Sequence, residues 1–210
     1  MPKKFWQFRN QAAGSAELLL YGDISDSSWW GDEVTPKTFA DELNASVIVV
    51  HAGNGFGRAG QEETVYQFRH FNDSRVAVEN LPMINDITNE IMHGLTPEMI
   101  AEIKDASGCK FCFDFAHAIC AANGLGLRHD DVMAGFAALK PDMYHLCDGD
   151  INGENDVHWH YGEGSYDLDK YLARYIAPDA LVTMETGGKP AGIQPWINDR
   201  EYIRRLQRQL

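Results

Sequence analysis

No stretch of the 210 residues approaches the roughly 18 apolar residues that a membrane helix needs, and the opening MPKKFWQFRNQ lacks the apolar core of a signal peptide. Both absences lead us to expect a soluble, cytoplasmic protein with no membrane partner. Basic residues are scarce: 18 Lys and Arg against 31 Asp and Glu leave a formal net charge of -13, and no basic tract is present. Such a chain repels a phosphate backbone at long range, so DNA is the less expected partner. Only four cysteines occur, Cys109, Cys112, Cys120 and Cys147, all in or beside apolar segments. That usage argues against a disulfide framework and for buried thiols in a reducing compartment. Cys109-x-x-Cys112 has the spacing of a redox or zinc pair, yet on a strand its odd separation would turn the two thiols to opposite faces. Length is short as well, since a closed eight-fold α/β barrel takes about 250 residues.

Taken in order, ELLLYGDI (17–24) reads as a strand and SDSSWWGDE as a turn-rich loop. Thr35-Pro36 starts a helix running to about Asn44, with Thr as N-cap and Pro in the first turn. SVIVVHAG (46–53) is a buried strand ending in His51. The next segment holds Gly55-x-Gly57-x-x-Gly60 before a helix-like run, with Glu79 about twenty residues on, the outline of a dinucleotide-binding fingerprint. A lone glycine fingerprint is weak evidence and Glu79 has another use, so we read a glycine loop gripping a substrate phosphate, or a plain loop. SRVAVENLP ends a strand in Glu79-Asn80, and Thr96-Pro97-Glu98 caps a helix leading to Gly108. CKFCFDFAHA reads as a strand delivering Asp114-x-x-His117. DDVMAGFAALK is helix-like, and MYHLCDGD is a strand carrying His145. The loop after it contains Asp156-x-His158, His160 and Gly162-Glu163-Gly164. A helix LDKYLARYI and a strand ALVTMETGG ending in Glu185 follow. The arginine-bearing helix DREYIRRLQRQL closes the sequence with a solvated face.

Strand and helix thus alternate, and five strands end in His51, Glu79, Asp114, His145 and Glu185. In a parallel α/β sheet those ends share one edge, so the five side chains can meet at a single site. Gathering several carboxylates in a buried place costs several kcal/mol unless a cation or proton compensates. We therefore expect a divalent metal, and the mixed nitrogen and oxygen donors suit Zn or Mn. The expected architecture is α/β, an incomplete (β/α) TIM-type barrel of about six parallel strands. An open sheet of that kind exposes strand edges that a partner, such as a second copy in a homo-oligomer, would cover.

Two family resemblances stand on quoted residues. Over residues 4–45, KFWQFRN, LLLYGDIS and SWWGDEVTPKTFADELNA resemble the amino terminus of phage ClpP-like head-maturation proteases, whose catalytic residues have no counterpart here. Residues 1–45 are accordingly read as a fused, non-catalytic strand-helix segment and 46–210 as a partial barrel domain. From about 46 to 207, VIVVHAG, VAVENLP, CFDFAHA, YHLCDGD, DVHWHYGEG and VTMETG resemble the xylose isomerase-like barrels, which include endonuclease IV (AP endonuclease family 2) and sugar isomerases and epimerases. That likeness starts near the family's fourth strand, so the barrel is expected to be truncated on its amino-terminal side.

The second resemblance implies one to three metal ions held among His51, Glu79, Asp114, His117, His145, Asp156, His158 and Glu185. In the isomerase branch Glu79, Asp114, His145 and Glu185 would hold one ion, leaving His117 and the Asp156/His158 loop to substrate. Glu79 and Glu185 would move the proton, with His117 as a further catalytic group. Gly55, Gly57, Asn80 and His160 are expected to face the substrate, a small sugar or sugar phosphate. The endonuclease IV branch implies instead a zinc phosphodiesterase acting on abasic DNA, with Asp156 and His158 holding an additional ion. A catalytically inert fusion product is the third expectation.

Overall fold

In the computed structural model, described over residues 6–11, 15–20, 45–55, 57–85, 89–187 and 193–208, the chain divides into two compact units, Met1–Ile48 and Val49–Leu210. In the first, β1 (Trp6–Gln11) and β2 (Ser15–Leu20) pair antiparallel, with Trp6 opposite Leu20 and Gln11 opposite Ser15. Two β-prone runs this close in sequence pair locally. Of the strand expected at 17–24, the described part, 17–20, therefore belongs to this hairpin, a two-stranded sheet of its own, and 21–24 lie outside the described residues. The expected SDSSWWGDE loop and the Thr35 to Asn44 helix lie outside the described residues.

The remaining elements alternate. They are β3 (Ile48–His51), α1 (Gly57–His70), β4 (Val76–Glu79), α2 (Pro97–Ser107), β5 (Lys110–Asp114), α3 (Phe115–Leu125), α4 (His129–Ala138), β6 (Met143–Leu146), α5 (Leu168–Tyr175), β7 (Val182–Met184) and α6 (Gln194–Gln207). The sheet order β3-β4-β5-β6-β7 follows chain order, and the strands curl into a parallel half-barrel with helices outside. This is an incomplete TIM-type fold of five parallel strands, one fewer than expected because β2 pairs elsewhere. Among the described residues, no helix is long and apolar enough to cross a membrane.

β5 shows why the sequence builds this layer. Phe111 and Phe113 point outward and meet Phe136 of α4 at ring distances of 5.9 and 5.4 Å, all three fully buried. Each such ring contributes about 2–3 kcal/mol of apolar burial. Cys112 and Asp114, the alternate residues, point inward. α2 follows its local signals, with Thr96 accepting from the Met99 amide at 3.4 Å, Pro97 in the first turn and Gly108 in the left-handed conformation at the end (φ 71).

One element departs from expectation. FAHA does not continue the strand; the chain turns into α3 at Phe115, because the Asp114 carboxylate accepts from the His117 amide at 2.7 Å and caps a new helix. Phe115 through Ala122 are all buried, so the segment shows no polar face to betray a helical period. His117 consequently sits in the first turn of a helix, directly behind the strand end.

Candidate metal centre

Strand register brings the inward side chains together. Glu79 lies opposite Cys112, Asp114 opposite His145, and His145 opposite Thr183, with Glu185 two residues beyond. A period of two places Glu79, Cys112, Asp114, His145 and Glu185 on one face at the carboxyl ends of the strands. One ligand atom from each of Glu79, Asp114, His145 and Glu185 lies within 4.8 Å of the others.

His145 Nδ1 stands between two carboxylate oxygens, 2.9 Å from Glu79 Oε1 and 3.0 Å from Glu185 Oε1. Glu79 Oε2 is 3.4 Å from His51 Nε2, and Glu79 Oε1 is 3.6 Å from His117 Nδ1. Burial opposes charge on Glu79, but the hydrogen bond from His145 and the charges of His117, His145 and His51 outweigh it and hold the carboxyl below its usual range. Asp114 divides its oxygens: Oδ1 caps α3, whereas Oδ2 is buried with no hydrogen-bond partner among the described residues. Burial pushes this carboxyl up to about 7, reinforced by Glu79 and Asp156. A buried carboxylate oxygen without a hydrogen-bond partner, on a residue grouped with three other ligand-type side chains, is a ready acceptor for a cation. The residues therefore fit a divalent ion.

A second group adjoins the first. His117, Asp156 and His158 also bring ligand atoms within 4.8 Å of one another. His117 Nδ1 is 2.8 Å from the Asn80 carbonyl oxygen and must donate its proton there. Its other nitrogen, Nε2, thereby faces Asp156 Oδ2 at 3.1 Å, and His158 Nε2 pairs with the same oxygen. Fixing one imidazole nitrogen on a backbone carbonyl is how a protein aims the other at a metal. Burial disfavours charge on His117, yet Asp114, Asp156 and Glu79 around it raise it to about 10. The bond to Asp156 raises His158 to about 9. Burial works against charge on Asp156 too, but its bonds from His117 and His158 keep it well below the carboxylate range.

Both groups open onto one cleft of about 450 Å³. His51, His117, Asp156, His158 and Glu185 are among its lining residues, and Leu81, Pro82, Ile84 and Met92 supply apolar lining. Glu79 and Asp114 sit below the surface at 2% and 1% exposure, so of the three carboxylates in the first group Glu185 is the one that meets the cleft.

Four residues expected at the substrate lie elsewhere. Asn80 is fully buried and clamps β4 to β5, its amide donating to the Asp114 carbonyl and its Oδ1 accepting from the Asp114 amide, both at 2.8 Å. His160 turns away to Asp199, with Nδ1 2.6 Å from Oδ2 and its ring edge-on to Trp196. Gly55 and Gly57 do not line the cleft. Their glycine pattern answers to packing: a side chain at Gly60 would come within 2.7 Å of the His93 ring, and Gly57 opens α1 with φ +55.

The structure also uses residues that the sequence did not single out. Asp148, 2% exposed, accepts from the amides of Gly149, Gly162, Gly164 and Tyr166 and so ties down the loop bearing Asp156 and His158. Asp199 binds His160, Thr186 and the Tyr161 amide, joining α6 to that loop and to the end of β7. Both are acids in turn-like or helical contexts, where nothing local marks burial. Cys112 did carry a signal, lying two residues before Asp114 on the same strand face.

No protein-family profile matches the chain, and no curated protein matches it in sequence. Solved structures do match in fold. A D-tagatose 3-epimerase-like protein aligns at 19% identity with a TM-score of 0.55, over 81% of this chain and 65% of its own. Endonuclease IV from Thermus thermophilus aligns at 19% identity with a TM-score of 0.59, over 89% of this chain and 72% of its own. The chain thus spans slightly less than two thirds of the epimerase-like protein. At this identity the likeness is one of fold, and it identifies the half-barrel as part of a TIM-type architecture.

Proposed function

We propose that this half-barrel is a divalent-metal-dependent isomerase or epimerase of a sugar or sugar phosphate. The observation that carries it is the set Glu79, Asp114, His145 and Glu185 converging beside a cleft with apolar lining. Glu79, Asp114 and His145 hold the cation, and Asp114 Oδ2 supplies an acceptor that no hydrogen bond among the described residues uses. A bound ion provides Lewis-acid polarisation of a carbonyl and its neighbouring hydroxyl. Glu185 faces the cleft and moves a proton on and off the adjacent carbon, with its orientation set by His145. Glu79, walled in by three histidines, serves as ligand and counter-charge. The apolar lining takes the C–H face of the sugar ring. The fold likeness to a protein described as D-tagatose 3-epimerase-like supports this substrate class.

A second reading, an endonuclease IV-like zinc phosphodiesterase, is favoured by one specific observation. His117, Asp156 and His158 form their own ligand group, and an additional ion there suits phosphoryl chemistry. The two readings separate on ion count and product. The isomerase reading expects one tightly held ion per chain and interconversion of at least one ketose and aldose in a panel, lost in Glu185→Gln. The nuclease reading expects two or three zinc ions and nicking of an abasic duplex. Substoichiometric metal with neither activity would mark an inert chain and remove both.

A further inference from the structure

Cys112 is not explained by packing alone. It is fully buried, as small thiols often are, but its inward neighbours are polar: Glu79 directly opposite, Asp114 two residues on, and His145 on the next strand. The outward face of β5 is where the apolar packing lies, against Phe136. One ligand atom from each of Glu79, Cys112 and His145 lies within 4.8 Å of the others. An independent observation stands beside it: Asp114 Oδ2 is buried and has no hydrogen-bond partner among the described residues.

We propose that the centre holds two overlapping ion positions sharing Glu79 and His145, and that Cys112 supplies a sulfur ligand to the deeper one. The inference rests on the reading of this cluster as a metal centre. The outer position, completed by Asp114 beside Glu185, offers oxygen and nitrogen donors and suits hard ions such as Mn²⁺ and Mg²⁺. The inner position adds sulfur and suits Zn²⁺, Co²⁺ and Cd²⁺. The two differ in which inward side chain of β5 completes them, Cys112 or Asp114, two residues apart on the same strand face. As a soft ion settles inward, the S–H proton leaves to solvent and the thiolate takes its place as ligand. The centre therefore sorts ions by softness, and Cys112 is the residue that sets the preference.

The test is cobalt(II) loading of the full chain, read by the near-ultraviolet sulfur-to-cobalt charge-transfer absorption. The band should appear in the unmodified protein, persist in Cys147→Ser and vanish in Cys112→Ser. In competition titrations Cys112→Ser should lose roughly tenfold or more in Cd²⁺ affinity while Mn²⁺ affinity stays within about twofold. X-ray absorption on the zinc-loaded, unmodified protein checks the same point without a variant, through a sulfur neighbour at about 2.3 Å. Stoichiometric cobalt with no such band, or a band that survives in Cys112→Ser, overturns the proposal and leaves the metal-centre reading standing. Failure to bind cobalt, zinc or manganese at all overturns both.

Discussion

Asp114 shows how much one residue carries. It ends β5, caps α3 through Oδ1 and keeps Oδ2 buried without a hydrogen-bond partner among the described residues. Asp114→Asn keeps a good cap and removes the charge, so stability in chelator should change by less than about 1 kcal/mol. Metal affinity should nevertheless fall by roughly tenfold or more, as read by calorimetric titration. The histidines give the metal-free protein a defined pH response. His117 and His158 are raised from 6.5 to about 10 and about 9 in the folded state. Their stabilisation is complete below about 6.5 and is lost as pH rises through the folded values. Asp114, raised from 3.8 to about 7, acts with the same sign at lower pH. Chelated protein should therefore unfold at progressively lower temperature from pH 6 to pH 10. Metal affinity should climb over the same range, because bound protons compete with the ion. A flat thermal midpoint across that range would show that these pairs do not form.

At the scale of elements, one carboxylate, Asp148, gathers four backbone amides of the loop from Asp148 to Tyr166. Asp148→Ala leaves four backbone amides without their acceptor and should cost about 3 kcal/mol or more in denaturant unfolding. Asp150→Ala removes only an exposed acceptor for the Asn152 amide and should stay within about 0.5 kcal/mol. The same contrast measures what could be read locally. Strands ending near His51, Glu79, Asp114, His145 and Glu185 announce themselves through apolar runs closed by one polar residue. The α2 boundaries follow from Thr96, Pro97 and Gly108. α3 escaped notice because an apolar run buried on every side has no period to read. Asn80 and His160 look like substrate groups in one dimension, but a cross-strand clamp and a helix 39 residues away claim them.

For the whole molecule, ion binding and folding are linked, since the ligands come from four strands, the first turn of α3 and one loop and converge only in the native state. With ion at one hundred times its Kd, linkage adds about 2.7 kcal/mol. A chain of this size should then gain roughly 5–10 °C in unfolding midpoint. Asp114→Asn should erase about half of that gain or more, and a midpoint indifferent to every divalent ion tried would refute the centre. Alternating β and α periods, the acidic balance and the recurrence of a ligand-type residue at each strand end were determined by the sequence alone, because each is a local or additive property of the chain. The strand count, the assignment of Asp114 to two tasks, the aim of His117 Nε2 and the inward placement of Cys112 were decided by tertiary structure. Those depend on which strand lies beside which and in what register, and a shift of one residue would turn every ligand to the opposite face.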